Sequence, residues 1–308
     1  MNVIFMGTPE FAVPCLTQLI EDGHTVSLVV TQGDKPRGRG QKLMPPPVKA
    51  CALEHGIPVY QPTTLKDEAV QEELRRQHAD VIVVVAYGKI LPQAVLDMPP
   101  YGCINVHASL LPRYRGAAPI QWAVLNGEAE SGVTTMYMDV GLDTGDMLLK
   151  SHCPITENMT AGELHDALSM QGAELLSDTL KALENGTLTR TPQTGTSNYA
   201  PMLDKSLCAM DFTKPAAILH NQVRGLNPWP TATAKVGGKM LKIHRTCIGA
   251  PCDAEPNRVI ATKPFTVSCG EGTSLVLLEV QGEGGKRMAA DDFFRGHPIP
   301  LDTCFSEE

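Results

Sequence analysis

Asn105 and His107 stand two residues apart at the end of an apolar run, in the stretch INVHASLLPRYRGAAPIQW from Ile104 to Trp122. On an extended strand, side chains two apart share a face, so both groups would meet one ligand. An imidazole there offers general acid–base chemistry or a cation for a developing oxyanion, and an amide offers a donor to the same oxygen. The plain alternative is a strand histidine satisfied by backbone groups. In the loop that follows, Leu110, Leu111 and Pro112 predict a stiff apolar ledge able to hold a flat ligand. A second polar stretch, DVGLDTGD from Asp139 to Asp146, follows a β-rich run. Gly141 and Gly145 let its backbone bend close to a neighbour, and Asp143 at its centre could orient an imidazole. Taken alone, that stretch also fits an acidic turn or a weak cation site.

These groups need a frame. DVIVVVAYG (Asp80 to Gly88) is continuous, β-branched and apolar, as a buried central parallel strand should be. NVIFMG (Asn2 to Gly7), TVSLVV (Thr25 to Val30), GCINVHAS and GVTTMYMDV (Gly132 to Val140) read as further strands. Between the first two, Thr8 is placed to cap a helix with Pro9 in its first turn, and another helix is expected near Val48 to His55. Alternating strands and helices predict an α/β fold, a Rossmann-like doubly wound and mainly parallel sheet. Ligands of such sheets bind beyond the carboxyl ends of the strands, where Asn105 and His107 stand. No G-x-G-x-x-G follows the first strand, so a nicotinamide dinucleotide is not expected.

Thr160 to Glu184 reads as one long helix ended by Asn185-Gly186. The expected organisation is a catalytic domain over 1–188, a polar linker over 189–207 and a second domain over 208–308. That last part holds a helix at Pro215 to Arg224. Short strands follow at Thr231 to Val236, Lys239 to Cys247, Arg258 to Ala261, Phe265 to Ser268 and Leu275 to Gln281, predicting a small OB-like β-barrel.

The net charge of −8 argues against a nucleic-acid partner until its distribution is read. Residues 205–263 carry 9 Lys and Arg against 3 Asp and Glu. Between Gln32 and Lys49, Lys35, Arg37, Arg39, Lys42 and Lys49 face only Asp34. In KVGGKMLKIHR, Lys235, Lys239, Lys242 and Arg245 occur without an acid, and strand alternation would put several on one face. Pro45 to Pro47 give the first basic island a stiff base. The plain reading of each island is a solvated surface. Trp122 and Trp229 read as packing residues. The nine cysteines are dispersed with no Cys-x-x-Cys, so reduced thiols in a cytoplasm and no metal are expected. The start lacks a signal pattern and no run reaches membrane-spanning length.

Taken together, NVHASLLPRYRGAAPIQW and the downstream DVGLDTGD resemble the folate-dependent formyltransferases. The resemblance implies Asn105, His107 and Asp143 as a catalytic triad, Ser109, Leu110, Leu111 and Pro112 as a folate-contacting loop, and 10-formyltetrahydrofolate as co-substrate without a metal. TQGDKPRGRGQKLMPPPVK resembles the inserted loop of those members that formylate initiator methionyl-tRNA, with Arg39 matching their loop arginine; RGLNPWPTA resembles their entry into a C-terminal barrel. Asp34-Lys35 departs from a familiar Pro-Asp-Arg. The implied reaction is formyl transfer to the α-amine of methionyl-tRNA for translation initiation. A monomer is expected because no long apolar surface helix stands out in the sequence. Arg37, Arg39 and Lys42 of the loop and Lys239 and Lys242 of the barrel would meet the acceptor stem and 3′ end. Three rivals stand beside it: an aminosugar-nucleotide formyltransferase, a glycinamide ribonucleotide transformylase, and a catalytically inactive RNA-binding protein. The first should lack the basic loop and the second the barrel. An intact triad argues against the third.

Overall fold

The computed structural model describes residues 1–37 and 42–306. Contacts divide the chain into two units: Met1–Gly116, Ser131–Cys153 and His165–Tyr199 form one, and Ala117–Glu130, Pro154–Leu164 and Ala200–Glu308 the other. This division differs from three consecutive segments. The expected linker is split after Tyr199, and two earlier segments join the C-terminal unit. The reason is apolar: the short helix Pro119–Leu125 carries Trp122 and Leu125 against a cluster of Ala118, Leu203 and Leu226.

The first unit is built on seven strands: β1 (Asn2–Gly7), β2 (Thr25–Val30), β3 (Val59–Tyr60), β4 (Val81–Val85), β5 (Cys103–His107), β6 (Glu130–Tyr137) and β7 (Met147–Pro154). Their order is β7-β6-β5-β4-β1-β2-β3. The five from β3 to β5 pair in parallel, and β6 runs antiparallel to β5. All five residues of β4 are buried, so its unbroken Val/Ile sequence is what a central strand covered on both faces requires. Helices α1 (Val13–Glu21), α2 (Pro47–Glu54), α3 (Glu68–Arg75) and α4 (Ala161–Glu184) supply the rest, α1 burying Cys15, Leu16 and Leu19. On one face Ile4, Met6, Ile82 and Val84 pack with Leu74 and Val95, each aliphatic burial contributing about 1.5–3 kcal/mol.

Strand order reverses between β1 and β4, which makes the crevice past their carboxyl ends the natural binding place. Gly7 closes that junction tightly: a Cβ there would lie 2.9 Å from the Val85 carbonyl oxygen and 2.8 Å from the Phe5 ring. Thr8 does not cap a helix. Its hydroxyl donates to the Tyr87 carbonyl and accepts from the Gln32 amide, both at 3.3 Å, tying together the turns after β1, β2 and β4. The helix begins later, after a 3-10 turn at Glu10–Ala12.

In the second unit, α5 (Ala216–Gly225) precedes β8 (Ala232–Val236), β9 (Lys239–Ile248), β10 (Val259–Thr262), β11 (Phe265–Cys269), β12 (Thr273–Gly282), β13 (Met288–Ala289) and β14 (Phe305–Ser306). The sheet order is β10-β11-β12-β9-β8-β14, with β13 beside β12. The C-terminal segment closes it: Phe305 pairs with Val236 on one edge, while Thr303 and Phe305 bond Val259 and Asn257 on the other. The five expected strands are all present within two residues at each end. β13 and β14, two residues each, have no sequence period to betray them. A core of Phe212, Leu241, Ile243, Phe265, Leu275 and Phe305 fills the closed sheet.

Candidate active site

His107 ends β5 and is buried, 6% exposed. Its Nε2 lies 3.0 Å from the carbonyl oxygen of Tyr114. A carbonyl only accepts, so Nε2 carries a proton and the tautomer is set by the backbone. That leaves Nδ1 as the open nitrogen, 3.8 Å from Asp143 Oδ1. Asn105, two residues earlier on the same face, is half-buried, and its side-chain amide has no hydrogen-bond partner among the described residues. An uncommitted amide beside an uncommitted imidazole nitrogen is a costly arrangement for a core and a useful one for a ligand.

Asp143 reaches the histidine because the Gly-rich loop folds back on its own strand. The Tyr137 amide donates to the Asp146 carbonyl at 2.9 Å, and Gly145 packs so closely that a Cβ would meet the Tyr137 carbonyl oxygen at 1.9 Å. Asp143 itself adopts φ +51°, left-handed space that a non-glycine residue holds only under constraint. Its Oδ2 accepts from the Gly116 amide at 2.8 Å, which leaves Oδ1 directed at the imidazole. A cavity of about 590 Å³ opens beside this loop, lined by Asp97, Tyr101, Tyr137, Thr144 and Arg190 among others. None of Asn105, His107 and Asp143 lines this cavity. There the Arg190 guanidinium sits 4.4 Å from the Tyr137 ring centre; burial pushes the Tyr137 phenol above its ordinary pKa and Arg190 opposes this.

The Ser109–Pro112 loop is less of a ledge than its sequence implies. Ser109 and Leu111 are each 1% exposed. The Ser109 hydroxyl donates to the Arg113 carbonyl at 2.7 Å, and Leu111 packs on Met136 and Met147. Buried Thr134 stitches the loop down, donating to Ser109 O and accepting from Leu111 N, and Lys150 donates to Leu111 O. Only Leu110 and Pro112 keep partly exposed side chains.

Of the basic islands, Arg39 lies outside the described residues. Arg37 and Lys42 pair across a two-stranded ribbon, Lys35–Arg37 with Lys42–Met44. Lys49 is consumed locally, donating to Asp34 and Gln61 at 2.8 Å, and its hydrogen bond holds the Asp34 carboxyl below its ordinary pKa. In the barrel, Lys239 and Lys242 are exposed. Simple alternation does not place the charges as expected. Lys239 opposes buried Val236 and shares phase with buried Leu241 and Ile243, and its exposure comes from standing at the strand's start. Arg245 would share that inward phase too, but bulges between Ile243 and Thr246 turn it outward. The outward set is therefore Lys235, Met240, Lys242 and Arg245, and Arg245 pairs with Glu163 at 3.0 Å. Trp122 donates from Nε1 to Pro201 O at 2.8 Å, whereas Trp229 is 58% exposed and is not a core residue.

Reading for functional side chains misses Tyr114 and Gly116, which contribute only a carbonyl and an amide. It also misses Gln193, whose Nε2 donates to the carbonyls of Asp143 and Gly145 at 2.8 and 2.9 Å. Backbone groups leave no residue-type signature, and Gln193 sits in a stretch whose polarity reads as a linker. Among the described residues no three His, Cys, Asp or Glu side chains converge as metal ligands, and no helix is long and apolar enough to cross a membrane.

Known proteins bear on this geometry. The formyl transferase family model matches residues 1–180, and the model for the formyl transferase C-terminal domain matches 202–298. The methionyl-tRNA formyltransferase of Trichlorobacter lovleyi is 51% identical over 305 residues, covering 98% of this chain and 96% of its own. That of Ruminiclostridium cellulolyticum is 50% identical over 305 residues, covering 97% of each. Among solved structures, an N-formyltransferase of Helicobacter canadensis, in complex with folinic acid and dTDP-3-aminofucose, superposes with a TM-score of 0.66 at 20% identity, over 89% of this chain and 98% of that one. HypX of Aquifex aeolicus with tetrahydrofolic acid gives 0.65 at 16% identity, over 96% of this chain and 47% of its own. At such identities these two speak for the fold alone. With both domain models matched in order and half of the residues shared over nearly full length, the chain belongs to the formyltransferase family, among its methionyl-tRNA formyltransferases.

Proposed function

We propose that this protein transfers the formyl group of 10-formyltetrahydrofolate to the α-amine of methionyl-tRNA, and that Asn105, His107 and Asp143 carry the reaction. The supporting observation is the pair of open groups on one face of β5: an amide without a hydrogen-bond partner among the described residues, beside a histidine that commits Nε2 to a carbonyl and leaves Nδ1 towards Asp143. The neutral amine attacks the formyl carbon, an N–C bond forms, and the carbonyl oxygen gains negative charge. The Asn105 amide donates to that oxygen. Atoms 3.8 Å apart can both lie within hydrogen-bond reach of a single bridging atom, so the space between His107 Nδ1 and Asp143 Oδ1 suits the amine or one water. Nδ1 accepts the amine proton there. The resulting imidazolium is held between the Tyr114 carbonyl and the Asp143 carboxylate until the proton passes to the departing folate nitrogen. Leu110 and Pro112, the half-exposed members of their loop, are the apolar surface offered to the co-substrate's ring; Ser109 and Leu111 hold that loop in place.

For the acceptor, Arg37 and Lys42 of the ribbon, Arg39, and the barrel's Lys239 and Lys242 meet the acceptor stem and 3′ end of initiator tRNA, in the cytoplasm and with the protein as a monomer. Lys and Arg bind phosphates without reading bases, which suits recognition of an RNA by shape and end structure. Mass detection of formylmethionyl-tRNA made from 10-formyltetrahydrofolate tests the reaction. Formylation of an aminosugar nucleotide instead of charged tRNA would replace this reading with the sugar-directed one.

A further inference from the structure

The six residues Gln193 to Asn198, read from sequence as linker, touch both polar partners of His107. We propose that Gln193 and Asn198 are positioning residues for formyl transfer, Gln193 acting through Asp143 and Asn198 through His107; this rests on the triad having the role assigned above. Gln193 spends its whole side-chain capacity on the site. Both amide protons go to the carbonyls of Asp143 and Gly145, at 2.8 and 2.9 Å. Its Oε1 accepts Arg115 Nε and Nη2, at 3.0 and 2.7 Å. The residue after Arg115 is Gly116, whose amide donates to Asp143 Oδ2 at 2.8 Å. One amide side chain therefore holds Asp143 on one side of the contact that aims the carboxylate and Arg115, the residue next to Gly116, on the other.

Asn198 does the same for the imidazole. Its Oδ1 accepts the Tyr114 amide at 2.7 Å, and its carbonyl accepts the Arg115 amide at 3.1 Å. Tyr114 then presents its carbonyl to His107 Nε2. Tyr114 (φ +58°) and Asp143 (φ +51°) both sit in left-handed space, which non-glycine residues hold only where surroundings enforce it. Both of the residues flanking His107 are thus strained, and both are held by one short segment.

The test uses the full chain, with kcat and KM for both substrates measured in Gln193→Met, Gln193→Glu, Asp143→Asn and the double variant Asp143→Asn/Gln193→Met. Gln193→Met should lower kcat on the order of 10- to 100-fold with each KM held within about twofold, because small displacements of a catalytic group are that costly. Gln193→Glu keeps the Arg115 contact and loses both donors, so it should fall similarly; it carries the test should Gln193→Met fail to melt cooperatively. In the Asp143→Asn background, Gln193→Met should cost less than about threefold, since residues acting through one group are not additive. Asn198→Ala should likewise lower kcat in wild type and do almost nothing beside His107→Ala. An unchanged kcat, a rise in KM alone, or an equal loss in both backgrounds overturns the proposal. Wild-type protein that makes no formylmethionyl-tRNA overturns the underlying reaction instead.

Discussion

The polar groups around β5 and the basic groups on the barrel are organised in opposite ways. His107 and Asp143 are nearly buried and held by backbone donors and acceptors, with one open atom each facing the other. On the barrel, Lys235 points outward from β8 and Met240, Lys242 and Arg245 from the bulged β9, and among the described residues the one fixed pairing of these three charges is Arg245 with Glu163, an exposed bridge worth about 0–1 kcal/mol. Bond making needs a group within a fraction of an ångström of its place. Attracting a phosphate backbone needs charge density, which falls off over about 8–10 Å and tolerates mobile side chains. One region is thus specified atom by atom and the other only by sign and face.

The sharpest break of that contrast is single substitution in the first region. His107→Ala should lower kcat by about 10²- to 10⁴-fold with folate binding retained, read by mass detection of product and by titration of the co-substrate. Unchanged turnover would remove His107 from the chemistry. Asn105→Ala should cost about 10²- to 10³-fold in kcat, the scale of a lost oxyanion donor; an effect confined to KM would make Asn105 a binding group only. On the barrel, Lys235→Ala/Lys242→Ala should leave kcat near wild type and raise KM for tRNA severalfold. The slope of log KM against log salt should flatten by about one to two. A salt slope equal to wild type would mean that neither lysine meets phosphate.

Two smaller effects concern the second unit's stability. Burial holds His220 and His244 below the ordinary histidine pKa of 6.5, the first between Thr246 Oγ1 and Glu157 O at 2.9 Å each. Their folded values lie below their unfolded ones, so the unfolded chain takes up protons first on acidification. Their stabilising contribution is whole above about pH 6.5 and is lost as pH falls towards the folded values. Thermal midpoints from pH 7.5 to 5 should fall, and His220→Gln should flatten the dependence; an unaltered slope would assign it to other groups. Least of all, Thr160→Ala should cost about 1 kcal/mol in a melt. It removes a reciprocal cap in which Glu163 Oε2 accepts the Thr160 amide at 2.8 Å and Thr160 Oγ1 accepts the Glu163 amide at 3.2 Å.

Much of this molecule was legible from residue order. The strands at Asn2–Gly7, Thr25–Val30 and Val81–Val85, the helix ending at Glu184 and five barrel strands follow from hydrophobic period and Gly/Asn stops, which are local properties. Asn105, His107 and Asp143 stood out because amide, imidazole and carboxylate are side-chain types able to take part in acyl-transfer chemistry. Thr8 misled because a hydroxyl before a proline reads as a cap, whereas three turns compete for it. Leu111 misled because an apolar loop residue faces a ligand or the core with equal ease, and only Met136 and Met147 decide between them.

Residue types and spacing by themselves determined the sheet, the barrel strands and the presence of an amide, an imidazole and a carboxylate fit for acyl transfer. Tertiary structure decided which imidazole nitrogen is free, through a carbonyl seven residues away, and which barrel charges face outward, through a bulge. It also gave Gln193 and Asn198 their work. Hydrogen bonds to backbone atoms depend on where the chain passes and hardly at all on which side chain that chain carries, so no pattern of residue types can announce them.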